Sequence, residues 1–287
     1  MITFRTRPFN TDFTTLANVK EALVISGTDD DVFLGNLIER ASDEIVQFTR
    51  RDFARAAVTD DVVSVGTRRL LLFYPPILVI EAVRLRDTAL VLAEVTDIKI
   101  INADAGIVAR NKVFESTQAH RADLTVQPIN YQDLPDWSFD YTGGFLMPGD
   151  NIIGDTTISA SSVDNSFNFS RVFPLLVAGD AIKVSGFTDP ANNGTFTVIS
   201  RTATKIIVSA TLVTEAATPA INMTVETLPA SLQHAAIEIV TSLFDARARS
   251  RDIKAESLGD HSTTYIEGGG VIPKATERSL SRWASMI

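Results

Sequence analysis

Cysteine is absent from this 287-residue chain, and histidine occurs only three times. The first absence excludes disulfides and thiolate metal sites and points to a reducing compartment. The second leaves few imidazoles for acid–base chemistry or metal ligation. Long apolar runs are also missing. The most apolar stretch, Leu70 to Val83, is interrupted by Pro75, Pro76 and Glu81 and is too short to span a bilayer. The opening MITFRTRPFN lacks the apolar core of a signal peptide, so a soluble, cytoplasmic product is expected. The N-x-[ST] triplets at Asn168, Asn193 and Asn222 then read as chance. A basic excess is lacking too: 26 Lys and Arg stand against 35 Asp and Glu, a formal net charge of −9. Coating nucleic acid through its phosphates needs the opposite balance, whereas a negative surface suits a protein past which DNA must slide.

What is present is an ordinary globular share of hydrophobic residues, 45%, enough for one large domain or two smaller ones. Thr15 is placed to cap a short helix carrying Leu16, Val19 and Leu23, with Ser26-Gly27 ending it. Thr28 is placed to cap a second, longer helix, with Asp31 in the capping-box position. Asp29 and Asp30 would lie in its first turn, where negative charge meets the positive end of the helix dipole. Capping explains this acidic triplet more simply than a bound cation does. Phe33, Leu37, Ala41, Ile45 and Phe48 form the expected buried stripe, and Arg50-Arg51 suit the C-terminal end.

From Val58 to Phe145 the apolar period changes to two. Strands are expected at Arg69–Phe73, Leu78–Arg86, Ile98–Ile101, Ile107–Arg110, Leu124–Gln127 and Ser138–Tyr141, with Pro75-Pro76 separating the first two. Ala103 to Gly106 is a tight connection in which Gly106 can take positive φ. Composition shifts at Pro148-Gly149-Asp150, and residues 151–226 are rich in Ser, Thr, Asn and Val. Short strands are expected there at Thr157–Ser161, Asp180–Ser185, Gly194–Arg201, Lys205–Ser209 and Ile221–Glu226, as a small antiparallel barrel or sandwich inserted into the parent fold. The longest amphipathic helix follows, from Pro229 to Arg251, with Leu232, Ala236, Ile239, Val240, Leu243 and Phe244 on one stripe. Its stripe is expected to pack on the Phe33–Phe48 helix. An extended polar arm comes next, then Gly268-Gly269-Gly270 as a linker. In the closing ATERSLSRWASMI, Leu280, Trp283 and Ile287 share a helical face. An apolar, aromatic segment on such a tether suits partner docking. The expected fold class is α+β: a helical bundle core with a long C-terminal helix and a β-strand region (residues 1–150 with 227–265), an inserted all-β domain (151–226) and a flexible arm with a docking segment (266–287).

No residue pattern carries catalysis, a cofactor or a metal. His120, His234 and His261 are isolated from one another; His234 and Glu238, four apart, read as a helix-side pair. The Gly268–Gly270 run lacks the ending of a phosphate-binding loop. One basic cluster, Arg247, Arg249, Arg251 and Lys254, stands out near a helix C-terminus. It reads as favourable charge on the dipole, as an inter-subunit contact with the acidic start Asp29, Asp30 and Asp31, or as a DNA contact.

TTLANVKEALVIS followed by DDDVFLGNLIERASDEIVQFTRR, then PPILVIEAVRL, DIKIINADAGIVARN and WSFDYTGGF, then LPASLQHAAIEIVTSLFDARARSRDIKAESLGDHSTTY, resemble in this order the head–tail connector (adaptor) proteins of tailed bacteriophages. The strand region of that family ends in a Y-x-x-G-aromatic motif, here Tyr141, Gly144 and Phe145. The resemblance covers roughly residues 1–150 and 227–265; in shorter members the motif runs almost directly into the Leu-Pro helix, so residues 151–226 are a departure. It implies a non-enzymatic virion protein of the neck, assembled in the host cytoplasm. Its copies would form a ring, a dodecamer, beneath the portal protein, extending the DNA channel and offering a platform to the next neck or tail protein, a stopper or tail terminator. Genome DNA would pass without sequence-specific binding. Within that picture the portal-docking residues are Leu280, Arg282, Trp283, Met286 and Ile287, against the alternative that this segment folds back on its own subunit as a terminal helix. The alternative function is a virion-surface or tail-associated binding module, in which the inserted β-domain recognises a receptor or partner; clustered exposed aromatics on that domain would favour it.

Overall fold

Helices form where apolar residues recur at three- and four-residue steps, and strands where they alternate. In the computed structural model, described for all residues except 1, 7, 9, 65, 86–87, 90–96, 115–136, 171–174, 218–219, 248–254, 259–260, 265–271 and 285–287, these elements sort into two units. The helical unit comprises Asn10–Asp52, Met147–Ile152 and Thr224–Ile287; the β unit comprises Met1–Phe9, Phe53–Leu146 and Ile153–Met223.

In the helical unit, α1 (Leu16–Leu23) is capped as expected, with Thr15 Oγ1 accepting from the Asn18 N–H at 3.3 Å. It ends before Ser26-Gly27, because Val24 already takes the left-handed conformation at φ 57°. The second helix, α2 (Asp31–Thr49), starts later than expected. The Thr28 carbonyl accepts from the Asp31 N–H at 3.2 Å, Asp30 is the N-cap without a side-chain cap bond, and Asp29 and Asp30 therefore precede the helix. The buried stripe is Leu34, Leu37, Ile38, Ala41 and Ile45, so Phe33 is only half-buried and Phe48 is exposed. The long helix α3 (Ala230–Arg247) buries Leu232, Ala235, Ala236, Ile239 and Val240, and α1, α2 and the short α4 (Lys274–Leu280) all pack against it. Where an extended arm was expected, Ala255–Leu258 and His261–Thr264 pair as an antiparallel hairpin.

The β unit begins with β1 (Ile2–Thr6), β2 (Ala56–Val62), β3 (Arg69–Leu71), β4 (Ile77–Leu85), β5 (Thr88–Ala89), β6 (Ile98–Asn102), β7 (Ile107–Arg110) and β8 (Trp137–Gly143). They form a five-stranded sheet in the order β1-β2-β8-β4-β5 and a three-stranded sheet β3-β7-β6. Alternation along the central β8 sends Trp137, Phe139 and Tyr141 into one core with Val58, Ile77, Val83, Val108 and Phe114. The Phe114 ring meets Trp137 edge-on at 5.0 Å. The other side of β8 carries Ser138, Asp140 and Thr142, each buried and bonded to neighbouring strands. Leu124–Gln127, expected as a strand, lies outside the described residues.

The following segment supplies β9 (Ile152–Asp155), β10 (Ser159–Ser161), β11 (Ser166–Asn168), β12 (Ala181–Ser185), β13 (Gly194–Arg201), β14 (Lys205–Val208) and β15 (Ile221–Thr224). Their order, β10-β11-β14-β13-β12-β15-β9, is an open seven-stranded sheet and not the closed barrel that was one of the two expected forms. Strands β9 and β10 remain as its edges, because neither finds the other to pair with. The apolar face is filled by Phe167, Ile182, Phe196, Val198 and Ile206, with the Phe167 and Phe196 rings 5.3 Å apart.

Candidate assembly interface

The Y-x-x-G-aromatic motif turns out to hold the β unit together. The Tyr141 hydroxyl accepts from the Tyr74 N–H at 3.0 Å, fixing the turn after β3, and its side chain is fully buried. Burial and the nearby Asp60 carboxylate push its phenol well above the usual range. Gly144 has φ +85°, and a Cβ there would stand 2.6 Å from the Ala54 carbonyl oxygen. Only glycine allows that approach. Phe145 then exchanges backbone hydrogen bonds with the 53–55 segment: its N–H donates to Phe53 O, and its carbonyl accepts from the Arg55 N–H, both at 2.7 Å.

This clasp positions a buried ion pair that the sequence did not announce. Arg55 Nη1 lies 2.5 Å from Asp180 Oδ2 and 3.3 Å from the Leu175 carbonyl, and the Asp180 carboxylate also accepts from the Val177 N–H at 2.8 Å. The pair ties the residue just ahead of β2 to the residue just ahead of β12, two stretches more than a hundred residues apart in sequence.

In the helical unit, the start of α2 and the end of α3 form a charged corner. Arg247 Nη1 reaches Asp30 Oδ1 at 2.7 Å, and its guanidinium lies 4.8 Å from the centre of the Phe33 ring. Phe33 in turn packs against Phe244 at 6.3 Å. Lys20 Nζ holds Asp31 Oδ1 at 2.6 Å. The acidic start and the arginine expected to meet across subunits are thus joined within one chain, while Asp29 is exposed. Arg249 and Arg251 lie outside the described residues.

The C-terminal segment folds back on its own unit as far as it is described. The α4 helix lies along α3, Leu280 is fully buried, and Thr276 Oγ1 donates to Glu238 Oε2 at 2.7 Å. Glu238 also meets His234 Nε2 at 3.2 Å, the helix-side pair anticipated from spacing. Between α3 and α4 runs an open groove of about 450 Å³ lined by His234, Glu238, Asp245 and Thr276. Arg282 is exposed and Trp283 half-buried, while Met286 and Ile287 lie outside the described residues. Among the described residues there is no cluster of His, Asp or Glu suited to a metal, and no helix is long and apolar enough to cross a membrane.

Residues 13–72 match the family model described as phage gp6-like head-tail connector protein. The matched span runs from Phe13, ahead of α1, through α2 and β2 to just past β3. No curated protein matches the chain. The match supports the head–tail connector family of phages and, with it, a structural connector role.

Proposed function

We propose that this chain, a structural connector of the phage head–tail junction by its match over residues 13–72, is the adaptor that forms a ring beneath the portal. The observation that carries this reading is the match itself, which falls on α1 and α2, the helices that pack on α3. Twelve copies would extend the DNA channel and present a platform to the next neck or tail protein. Its work is assembly, and a modest contact repeated around a ring is sufficient for tight binding. Net charge of −9 suits a conduit through which DNA must slide.

Portal docking falls to the end of the chain. Leu280 is committed to α3, so the docking group narrows to Arg282 and Trp283 together with Met286 and Ile287 beyond them. Deleting everything after Pro273 would expose α3 and confuse docking with folding. Point variants avoid this. Arg282→Ala with Trp283→Ala is expected to lower co-sedimentation with the portal protein at least tenfold while the melting temperature stays within a few degrees. Undiminished binding would remove the C-terminal segment from the docking site. The rival reading, a recognition module on the seven-stranded sheet, is disfavoured by its aromatic rings: among the described residues, Phe167, Phe169, Phe187 and Phe196 are all buried. A sheet that turns its aromatics inward suits a spacer or a contact to adjacent neck proteins better than a receptor site.

A further inference from the structure

We propose that the outer face of the β3-β7-β6 sheet docks on the exposed acidic face of α2 in the next copy of this chain; the inference rests on the ring reading and names the contact that closes it. Strand register defines the face. Arg69, Ala109 and Lys99 stand in one row, and Leu71 pairs with Ile107 in the next. The opposite side carries Leu70 and Val108, which are buried in the core. Leu71 on β3 and Ile101 on β6 are 46% and 55% exposed, and Phe73, two residues past β3, is 51% exposed, large values for apolar side chains. Around them Arg68, Arg69 and Lys99 are exposed and make no ion pair among the described residues. The result is an apolar patch with Arg68, Arg69 and Lys99 at one end of the sheet, beside the half-buried Asp97, and the exposed Asp104 in the β6–β7 turn at the other, on a chain of net charge −9.

The complement lies on α2. Val32, Asn36, Glu39 and Asp43 follow at steps of four, three and four, and therefore share one helical face. Val32 is 81% exposed, and Glu39 and Asp43 are exposed as well. Like charges four residues apart weaken a helix, and neither makes an ion pair among the described residues. Asp12 adds a third carboxylate, which burial and the fields of Glu39 and Asp43 raise above the ordinary range. An apolar, anionic helix face thus meets the need of an apolar, cationic sheet face. DNA would satisfy the cations but leave Leu71, Phe73 and Ile101 without a partner. Each copy carries one face of each kind, and such a head-to-tail pairing repeated about a closing rotation makes a ring.

A charge exchange in the full-length chain tests the pairing. Arg69→Glu with Lys99→Glu on the sheet, and Glu39→Lys with Asp43→Lys on the helix, are each expected to abolish rings seen by electron microscopy in the presence of the portal. Carrying all four substitutions in one chain restores them. Melting temperatures near that of the unaltered chain confirm that exposed positions, not folding, were changed. If the unaltered chain forms rings and either double variant does too, this contact is wrong while the ring reading stands. If both double variants lose rings and the fourfold variant does not regain them, the two faces do not meet. If rings persist in the sheet variant while binding of duplex DNA falls, the sheet face serves DNA. If the unaltered chain forms no rings, the contact falls together with the ring reading.

Discussion

One ion pair in each unit shows two opposite ways of holding charge. In the β unit, the Arg55 and Asp180 side chains are 3% and 9% exposed, and the pair is anchored by carbonyl and amide groups on either side. In the helical unit, Arg247 and Asp30 are 56% and 34% exposed and meet at a surface corner. A buried pair is costly to break, because the survivor is stranded in a poor solvent. An exposed pair is nearly free to exchange one partner for another or for water. At the Arg55–Asp180 pair the β unit is thus fastened from within. The helical unit keeps Asp30 where a second molecule can compete for it.

That contrast can be broken at graded cost. Arg55→Met should destabilise the β unit most, by about 3–5 kcal/mol in urea unfolding, since it leaves the Asp180 carboxylate buried. Adding Asp180→Leu should recover most of the loss; a double variant as unstable as the single one would mean that packing, not charge, had been lost. Tyr141→Phe should follow at about 1–3 kcal/mol, by leaving the buried Tyr74 N–H without its acceptor. A change within error would remove the motif tyrosine from the clasp.

Acid should reach the β unit through Asp140. Burial works to raise this carboxyl, but hydrogen bonds from Arg84 and Thr59 outweigh it and hold the pKa below the ordinary range. A depressed folded-state pKa means that the stabilisation is complete above the unfolded value, about 4, and is lost as pH falls through the folded one. Asp140→Asn should therefore flatten the stability profile in that acid window and be recognised there by thermal melts. An unchanged acid limb would place the sensitivity elsewhere. Smallest of all, Arg247→Ala should cost no more than about 1 kcal/mol, the sum of a solvated pair and a contact with the Phe33 ring. A larger loss in the isolated protein would show that the corner is structural.

Local patterns were legible wherever one short-range rule acted alone. Strict alternation located Ile107–Arg110 and Gly194–Arg201 to the residue, and Gly106 takes the positive φ that its turn demands. Thr15 caps α1, but Thr28 lost to a backbone turn, which moved the start of α2 to Asp31. Strand β1 was missed because four of its five residues are exposed and its side chains show no buried row. The pairing of Ala255–Leu258 with His261–Thr264 leaves little trace in the sequence, because both runs are mostly polar and show no apolar alternation. Long-range features were not legible at all. Nothing in the neighbourhood of Arg55 names Asp180, and no periodicity tells whether Arg247 meets Asp30 of its own chain or of the next. Nor does spacing show that Leu280 turns inward onto α3.

The account stands most directly on symmetry. Electron microscopy of the full-length protein mixed with its portal should show closed rings seated coaxially on the portal, with a continuous central channel. A chain that stays monomeric beside unoccupied portals would contradict it.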